Sequence, residues 1–343
     1  MTGEATSRPA AGRPRSGGVG LRSERGPILG AVMLATGLIA VDSTIIATAV
    51  PSIVRDIGGF AQFPWLFSIY LLAQAVSVPV YGKLADLFGR KPVILFGIGL
   101  FLLGSVLCGA AWSMGALIGS RALQGLGAGA IAPVAITIVG DIYSTAERAK
   151  AQGYIASVWG IAAVVGPTLG GLLSEYASWR WIFFVNIPLC LLAAAMLGRN
   201  FHEQVQRSRP RIDYRGATLL TGGLALVILG VLEGGQAWAW DSPQSIAIFS
   251  AGALLLVGFG MVERTAIEPV LPLWVFRRRL LVASSLIAAG VGAIVLGLTS
   301  YVPTYEAALT SAVQHIFLAV VVIAVLMLGT ALALPRQPLP EPG

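Results

Sequence analysis

Two ionisable side chains lie inside long apolar stretches of this sequence, where ionisable residues are otherwise nearly absent. Asp42 falls in the first such stretch and Arg121 in the fourth. A charge near the centre of a bilayer costs at least about 2.5 kcal/mol, so pairing or a water-filled cavity must offset it. A carboxylate can be charged when it faces water and neutral when it is occluded, which proton coupling requires. Asp42 and Arg121 are therefore the first candidates for chemistry.

Asp42 also has a purely structural interpretation. Its carboxylate could hydrogen-bond only to the helix backbone or to Thr44 and so stabilise the fold. The functional interpretation is favoured because an intramembrane carboxylate is costly to retain.

Four polar or aromatic residues inside the apolar stretches are candidates for lining a substrate cavity. These residues are Tyr70, Gln74, Gln124 and Trp159. Their side chains could hold a flat, lipophilic cation through stacking and cation–π contact. Packing is the commoner role of such residues, because aromatic side chains mostly supply buried area.

These residues can be positioned only by helices that cross a membrane. The chain has 343 residues, of which 56% are hydrophobic and 11% charged, whereas soluble domains carry roughly a quarter charged residues. A spanning helix needs about 20 mostly apolar residues, and ten segments meet this requirement. The predicted spans are near residues 28–51, 65–84, 93–112, 115–139, 154–176, 181–198, 216–233, 245–262, 281–303 and 309–334.

The basic residues indicate how these spans are oriented. Of the 23 Lys and Arg residues, 20 fall on one side of the predicted topology. Only Arg55 and Arg180 fall on the other side, and Arg121 lies within a span. Because short basic loops stay cytoplasmic, we predict a multi-pass protein of the inner (plasma) membrane with both termini cytoplasmic. The clustering of these charges between apolar runs argues against nucleic-acid binding, despite a net charge of +7.

Other sequence features exclude several classes of protein. Residues 1–27 are rich in Arg, Pro, Gly and Ser and predict a disordered basic cytoplasmic tail without a cleavable signal peptide. Cys108 and Cys190 fall inside apolar spans and give no argument for a disulfide. We find no nucleotide-binding loop, metal cluster or nucleophile with its base, so neither an ATP-driven pump nor an enzyme is indicated. No cofactor is expected, and an ion gradient would supply the energy.

Three motifs in chain order carry a resemblance to a known family. The loop from Gly82 to Lys91 resembles the signature loop of the major facilitator superfamily. Span 4 then contains the run from Arg121 to Gly129. Span 5 resembles the helix that marks the antiporters of this superfamily, through Gly153, Ala162, Gly166, Pro167, Gly170 and Gly171. Ala162 stands where that motif usually has Gly, a small-for-small exchange that close helix packing tolerates.

Further stretches resemble the 14-span drug:proton antiporters of this superfamily. They cover residues 42–51, 179–188, 233–235 and 263–269, within a resemblance that runs from about residue 28 to 305. The chain departs from the family after Tyr305. There Glu306 leads at once into a segment that is similar to the last span of the family, so about four spans of the second half are predicted to be missing.

The resemblance implies an all-α membrane protein with a major facilitator-type helical bundle of about ten transmembrane helices. The N-terminal six-helix half is expected to be complete and the C-terminal half truncated. The expected regions are the tail 1–27, the six-helix bundle 28–198, a cytoplasmic loop 199–215, a linker helix pair 216–262, a second loop 263–280, residual C-terminal helices 281–334 and a tail 335–343.

The resemblance also implies roles for individual residues. Asp42 would be the carboxylate that binds the proton and the cationic substrate, and Arg121 the cation that tunes it. In the family, the acidic residue of the signature loop holds one state by meeting a helix N-terminus in the second half, here expected to be missing. The gating-loop residues are Gly82, Asp86, Gly89, Arg90 and Lys91. The alternative for this loop is a positive-inside loop with one local ion pair, and for span 5 it is a structural glycine face.

The predicted function is a secondary active transporter that exports hydrophobic or cationic drugs in exchange for protons. Its expected partners are small lipophilic or cationic substrates, protons and the lipid bilayer, with self-association into a homo-oligomer left open. The alternative is a truncated, non-transporting membrane protein or partner subunit derived from such a transporter. Uptake of a polar nutrient is disfavoured, because the spans contain few polar groups.

Overall fold

The computed structural model describes residues 18–203, 213–234 and 238–266, together with Ala283. The description below concerns the unit Met1–Val270. The predicted spans 281–303 and 309–334, the tail 335–343 and most of the tail 1–27 lie outside the described residues. So do the middle of the loop 199–215 and most of the loop 263–280.

The described residues form helices and turns, without a strand, which confirms the all-α membrane fold for this part of the chain. Eight helical stretches are long and apolar enough to cross a membrane. The helices are α1 (Gly26–Ile57), α2 (Trp65–Phe88), α3 (Arg90–Gly109), α4 (Met114–Ile142), α5 (Thr145–Tyr176), α6 (Trp181–Phe184), α7 (Asn186–Asn200), α8 (Tyr214–Glu233) and α9 (Pro243–Glu263). The pair α6 and α7 makes the sixth span.

Two helices extend well beyond the predicted apolar spans. α1 continues through Pro51 to Ile57. An internal proline removes one backbone hydrogen bond, and a membrane helix tolerates that loss. α5 begins at Thr145, before the predicted start at residue 154. A search for apolar runs misses its first turn, because that turn is charged. Ser144 and Glu147 form a reciprocal capping box that fixes the helix start.

The sixth span is interrupted at Val185, between α6 and α7. Pro188 is the third residue of α7. It has no backbone N–H, so it cannot donate to a carbonyl group on the other side of the interruption. The interruption places Asn186 at the first position of α7, where it is completely buried. A polar amide is thus held inside the bundle at the point where the helix is broken.

The bundle is held together by three long helix contacts: α3 with α4, α1 with α5, and α2 with α4. Glycine permits the close approach of α3 to α4. A Cβ atom on Gly127 would lie 2.7 Å from the Gly97 carbonyl oxygen and 2.7 Å from the Phe101 Cα. These distances are far below van der Waals contact, so only glycine fits at position 127 without a shift of the backbone.

Gly127→Ala is therefore expected to lower the thermal stability of the detergent-solubilised protein, because the added methyl group meets rigid backbone. We expect a loss of about 1–3 kcal/mol, typical of overpacking. Gly119→Ala is the matched control on the same helix, since a Cβ there meets nothing within 4 Å. Ala is the better helix former, so the control should be unchanged or slightly stabilised. Equal melting temperatures for both variants would contradict the close approach.

The buried apolar core has two clusters that divide α1 at the level of Asp42. One cluster includes Leu38 and Ile39, and the other includes Ile45 and Ile46. The outward surface carries large apolar side chains such as Leu254, which is 72% exposed, as expected for helices that face lipid. Asp42 therefore lies in a polar layer between two apolar layers.

Candidate functional site

The structure brings Asp42 and Arg121 together as a buried ion pair. Asp42 lies midway along α1, and Arg121 lies in the first third of α4. Arg121 Nη1 donates to Asp42 Oδ2 at 2.6 Å, and each side chain is 1% exposed. The pairing offsets the cost of removing either charge from water.

Two amide side chains complete the hydrogen bonds of the Asp42 carboxylate. Gln124 Nε2 donates to Asp42 Oδ1 at 2.7 Å, and Asn186 Nδ2 donates to the same oxygen at 3.3 Å. Ser105 Oγ accepts from both amides, at 3.3 Å from Gln124 and 2.9 Å from Asn186. The Ser105 hydroxyl in turn donates to the Phe183 carbonyl at 3.0 Å. The carboxylate is thus connected to α1, α3, α4, α6 and α7.

Arg121 has acceptors besides Asp42. Its Nη1 donates to Gln124 Oε1 at 2.8 Å, and its Nε donates to the Leu66 carbonyl at 3.2 Å. The guanidinium carbon lies 4.1 Å from the centroid of the Tyr70 ring, within cation–π distance. The guanidinium therefore keeps three neutral partners if the charge on Asp42 changes.

These residues form what we call the Asp42 network: Asp42, Ser105, Arg121, Gln124 and Asn186. The network holds one negative and one positive charge, so it is neutral while Asp42 is ionised. Arg121 keeps its positive charge, because a guanidinium stays protonated in proteins. A proton on the Asp42 carboxylate would therefore leave the network with a net charge of +1.

The four candidates for a substrate cavity occupy different environments. Gln124 belongs to the Asp42 network, and Tyr70 packs its ring on Arg121, with both side chains fully buried. Gln74 is half-buried on α2, while Trp159 on α5 is 45% exposed. Tyr70 and Gln124 thus both contact Arg121 in this conformation. A role for any of the four residues in binding a substrate stays a prediction.

The small residues of α5 divide between two faces. Ala162, Gly166 and Gly170 are buried against α1, where a Cβ on either glycine would overlap the side chain of Thr44 or Thr48. Gly153 and Gly171 have open space at the Cβ position, and Pro167 is half-buried.

Thr44 takes part in this contact instead of bonding to Asp42. Its hydroxyl donates to the Ala162 carbonyl at 3.0 Å across the interface, and it lies within hydrogen-bonding distance of the Ala40 carbonyl on its own helix. Half of the antiporter-like motif therefore makes the contact between α1, the helix of Asp42, and α5.

The gating-loop residues join α2 to α3 and meet acidic side chains from elsewhere. Gly89 has a φ of 95°, a conformation that favours glycine, and so allows the turn between the two helices. Arg90 forms ion pairs with Asp141 at 3.1 Å, Glu203 at 3.3 Å and Asp86 at 3.9 Å. The Asp86 side chain is 69% exposed. Only the pair with Asp86 is local to this loop, because Asp141 belongs to α4 and Glu203 follows α7. A gating role for the loop stays a prediction.

Two further residues of this loop take separate positions. Lys91 Nζ donates to the Gly198 carbonyl at 2.7 Å, near the end of α7, where a cation is favoured by the helix dipole. Gly82, inside α2, has open space at its Cβ position and contributes no close contact.

Glu203 was not among the residues predicted from the sequence, yet it caps the N-terminus of α3. Its Oε2 accepts from the backbone N–H groups of Arg90 at 2.6 Å and Lys91 at 3.2 Å. A carboxylate at this position satisfies two of the unpaired amides of the helix start and is favoured by the helix dipole.

Glu203→Ala is accordingly expected to destabilise the first turn of α3 by about 0.5–2 kcal/mol, the usual cost of losing an N-cap. Hydrogen exchange measured by mass spectrometry should show faster exchange in the peptide that contains Arg90 and Lys91. Glu24→Ala is a suitable control, because Glu24 is exposed. Unchanged exchange at the start of α3 would refute the capping role.

The other end of the bundle has its own ion pair. Arg180 Nη1 donates to Asp56 Oδ2 at 2.6 Å, and Trp179 Nε1 donates to the same oxygen at 2.9 Å. Arg180 Nη2 also donates to the Ala111 carbonyl at 3.1 Å. These contacts tie the end of α1 to the loops before α4 and α6, at an exposed position where an ion pair contributes little to stability.

Within the residues that the structure describes, no three His, Cys, Asp or Glu side chains form a group that could hold a metal ion. Cys108 and Cys190 are both buried as free thiols. The Cys108 thiol lies 3.6 Å from Gln124 Oε1, at the edge of the Asp42 network.

The family model described as Major Facilitator Superfamily matches residues 32–339. Multidrug resistance protein 3 of Bacillus subtilis (strain 168) is 37% identical over 266 residues, which cover 78% of this chain and 52% of that protein. Multidrug transporter protein MdtP of the same organism is 35% identical over 286 residues, covering 83% and 53%. Efflux pump dotC of Dothistroma septosporum (strain NZE10 / CBS 128990) is 34% identical over 309 residues, covering 88% and 53%. The chain thus spans about half the length of these relatives.

Among solved structures, the human organic anion transporter MFSD10 (TETRAN) matches with a TM-score of 0.47 and 20% identity. The match covers 65% of this chain and 59% of that one.

Proposed function

Because this chain belongs to the Major Facilitator Superfamily, we propose that it is a secondary active transporter that exports hydrophobic or cationic drugs in exchange for protons. The observation that carries the proposal is the buried ion pair of Asp42 and Arg121. A carboxylate sealed from water can exchange its proton only when the bundle opens, so protonation and conformation are linked. The relatives named as multidrug transporters and efflux pumps support the substrate class.

The substrate and the proton would meet the same carboxylate. Protonation of Asp42 leaves Arg121 as the only charge of the network, which disfavours a second cation nearby. Release of the proton restores a neutral network that tolerates a lipophilic cation. Gln74 and Trp159, which lie outside the network, would supply polar and aromatic contacts to such a substrate.

Transport in this superfamily uses two helical halves that rock around a site near the bilayer midplane. We place α1 to α7 in the first half and assign α8 and α9, which pack on each other, to the linker pair of the 14-span branch. The predicted spans 281–303 and 309–334 would then remain from the second half. The loss of about four spans after Tyr305 stays a prediction, and sequencing the genomic region around codon 305 would test it.

We propose that the end of the bundle carrying Arg25, Arg90, Lys91 and Arg148 faces the cytoplasm, in the inner or plasma membrane. The support is the accumulation of basic residues at this end, since short basic loops are retained on the cytoplasmic side. The opposite end has Arg180, which is paired with Asp56. Cysteine accessibility labelling of an introduced residue beside Trp112, which is 82% exposed, would test the orientation.

Asp86 is proposed to act as the gating acid of the loop between α2 and α3. Its exposed carboxylate lies 3.9 Å from Arg90, which is its one ion-pair partner among the described residues. The resemblance implies a second partner, a helix N-terminus of the second half, which belongs to the stretch predicted to be missing here. Glu203 and Asp141 hold Arg90 more closely and would keep the loop folded while Asp86 exchanges partners.

Efflux of ethidium tests the proposed function directly. Purified full-length chain in proteoliposomes should move ethidium against its gradient after a pH step, and an uncoupler should stop the movement. Movement that ignores the uncoupler would contradict proton exchange. Absence of movement from a folded protein would favour the alternative, a non-transporting membrane protein or partner subunit. Native mass spectrometry of the same sample would show whether the chain forms a homo-oligomer.

A further inference from the structure

Asn186 has one hydrogen-bonding atom that the Asp42 network does not use. Its Nδ2 donates to Asp42 Oδ1 and to Ser105 Oγ, which occupies both amide hydrogens. Its Oδ1 is buried and has no hydrogen-bond partner in the part of the chain that the structure describes. Leaving a buried carbonyl oxygen unpaired costs about 1–3 kcal/mol, and an arrangement that gives this oxygen a donor would recover that cost.

Ser105 determines the present orientation of the amide. The hydroxyl hydrogen of Ser105 points to the Phe183 carbonyl, so its oxygen offers only lone pairs to the two neighbouring amides. Gln124 and Asn186 must therefore present their NH₂ groups to Ser105, and the same NH₂ groups reach the Asp42 carboxylate. A backbone carbonyl at the interrupted sixth span thus sets the donors around an ionised acid.

The two amides differ in their freedom to turn over. Gln124 Oε1 accepts from Arg121 at 2.8 Å, so rotation of this amide would place its NH₂ group against a cation. Asn186 Oδ1 has no such contact, and a half-turn about the Cβ–Cγ bond exchanges its donor and acceptor positions. Of the two amides that touch Asp42, only Asn186 can change from donor to acceptor without losing a bond to Arg121.

We propose that Asn186 and Ser105 are positioning residues for the proton on Asp42. In the ionised state Ser105 holds the Asn186 NH₂ group against the carboxylate. When a proton binds Asp42, a new O–H group forms, the amide of Asn186 turns, and Oδ1 accepts from that group. The Ser105 hydroxyl turns with it, from the Phe183 carbonyl to Asn186 Oδ1, so that no two acceptors face each other. The proton joins one carboxylate oxygen, and no bond between heavier atoms is made or broken. This proposal rests on the proposed proton exchange and names the residues that accommodate both states of its carboxyl group.

Other groups around Asp42 do not provide this change. The titratable or charged side chains that face it are Arg121 on α4, Tyr70 on α2, Cys108 on α3 and Cys190 on α7. In water a phenol, a thiol and a guanidinium all keep their protons at neutral pH. The described residues of α5 that lie near Asp42 contact Thr44 of α1 but carry no charge. The charge that faces Asp42 in this layer is therefore the one on Arg121.

Infrared difference spectroscopy of the purified full-length protein tests the proposal without depending on transport. The C=O stretching band that disappears in Asp42→Asn reports protonated Asp42, and its pH midpoint can be compared between variants. Asn186→Leu removes the donor to the ionised carboxylate and should raise the midpoint by about one pH unit. The band should also move to higher frequency, because the acid loses its acceptor.

Two further variants distinguish positioning from folding. Ser105→Ala keeps the Asn186 amide but releases its orientation, and should raise the midpoint by a smaller amount. Asn200→Leu is the matched control, because Asn200 lies at the exposed end of the same helix. It should leave both the midpoint and the frequency unchanged.

The outcomes separate this proposal from the proposed function. The variants could shift the pH midpoint of the Asp42 band in a protein that does not transport ethidium. That result would contradict proton exchange but support the positioning roles of Asn186 and Ser105. A midpoint that is the same in wild type, Asn186→Leu and Ser105→Ala, or a wild-type Asp42 that never takes up a proton, would overturn the proposal. If Asn186→Leu does not fold, the Ser105→Ala comparison alone decides.

Discussion

Asp42→Asn is expected to reduce proton-driven ethidium efflux to the rate of protein-free liposomes. Asparagine has nearly the same shape, and its carbonyl oxygen can still accept from Arg121, which also keeps Gln124 and the Leu66 carbonyl as acceptors. The bundle should therefore fold, while the group that binds the proton is gone. The measurement is ethidium movement after a pH step, with size-exclusion chromatography of the same preparation to confirm a folded protein.

Asp56→Asn provides the matched control for this result. It makes the same substitution on the same helix, at a side chain that is 48% exposed and paired with Arg180. Such an exposed pair is worth about 0–1 kcal/mol, so efflux and folding should both persist. Proton-driven efflux by Asp42→Asn at the wild-type rate would remove Asp42 from the coupling step.

The ion pair was predictable from the sequence because charged side chains are rare in membrane-spanning segments. Asp42 and Arg121 stand out in apolar stretches, and each needs an opposite charge to offset burial. The first six spans were predictable for a related reason, since an uninterrupted apolar run must satisfy its backbone within a helix. Both predictions depend on strong, local energetic requirements.

The partners of that pair were harder to predict. A serine such as Ser105 fits anywhere in a membrane helix, so its type carries no signal. Asn186 did carry one, as a strongly polar amide beside Pro188 in an apolar span, but its contact with Asp42 crosses from α7 to α1. Glu203 lies after the last turn of α7 and meets α3 only because the bundle folds. Contacts between distant segments depend on the three-dimensional packing, which sequence patterns do not specify.

The cavity predictions illustrate the same difficulty. Tyr70 and Gln124 were chosen because polar and aromatic side chains in a span can face a substrate. In this structure both are buried around Arg121, because the guanidinium requires hydrogen-bond acceptors and packs on the face of the Tyr70 ring. Whether they also meet a substrate stays a prediction. Residue type indicated that these side chains were polar contacts, but it did not indicate what they contact.

Arg121→Leu is expected to be the most damaging single substitution in the network. It leaves the Asp42 carboxylate buried with two neutral amide donors and no positive charge. Removing one partner of a buried pair costs about 3–5 kcal/mol. The variant should show a large fall in melting temperature or fail to accumulate, as measured by fluorescence-detected size-exclusion chromatography. Arg55→Leu, at an exposed arginine of α1, should behave like wild type.

The double variant Asp42→Asn, Arg121→Leu separates the stability of the pair from its chemistry. With both charges removed, no uncompensated ion remains in the bundle, and replacing a buried pair by neutral groups is often nearly neutral. Its melting temperature should therefore recover most of what Arg121→Leu loses, while proton-driven efflux stays absent. If the double variant were as unstable as Arg121→Leu alone, the arginine would act through packing on Tyr70 and Leu66, and its charge would not be what the fold requires. Recovery of stability without recovery of efflux is the pattern expected when an ion pair is kept for proton exchange, because a neutral layer would hold the same helices together equally well.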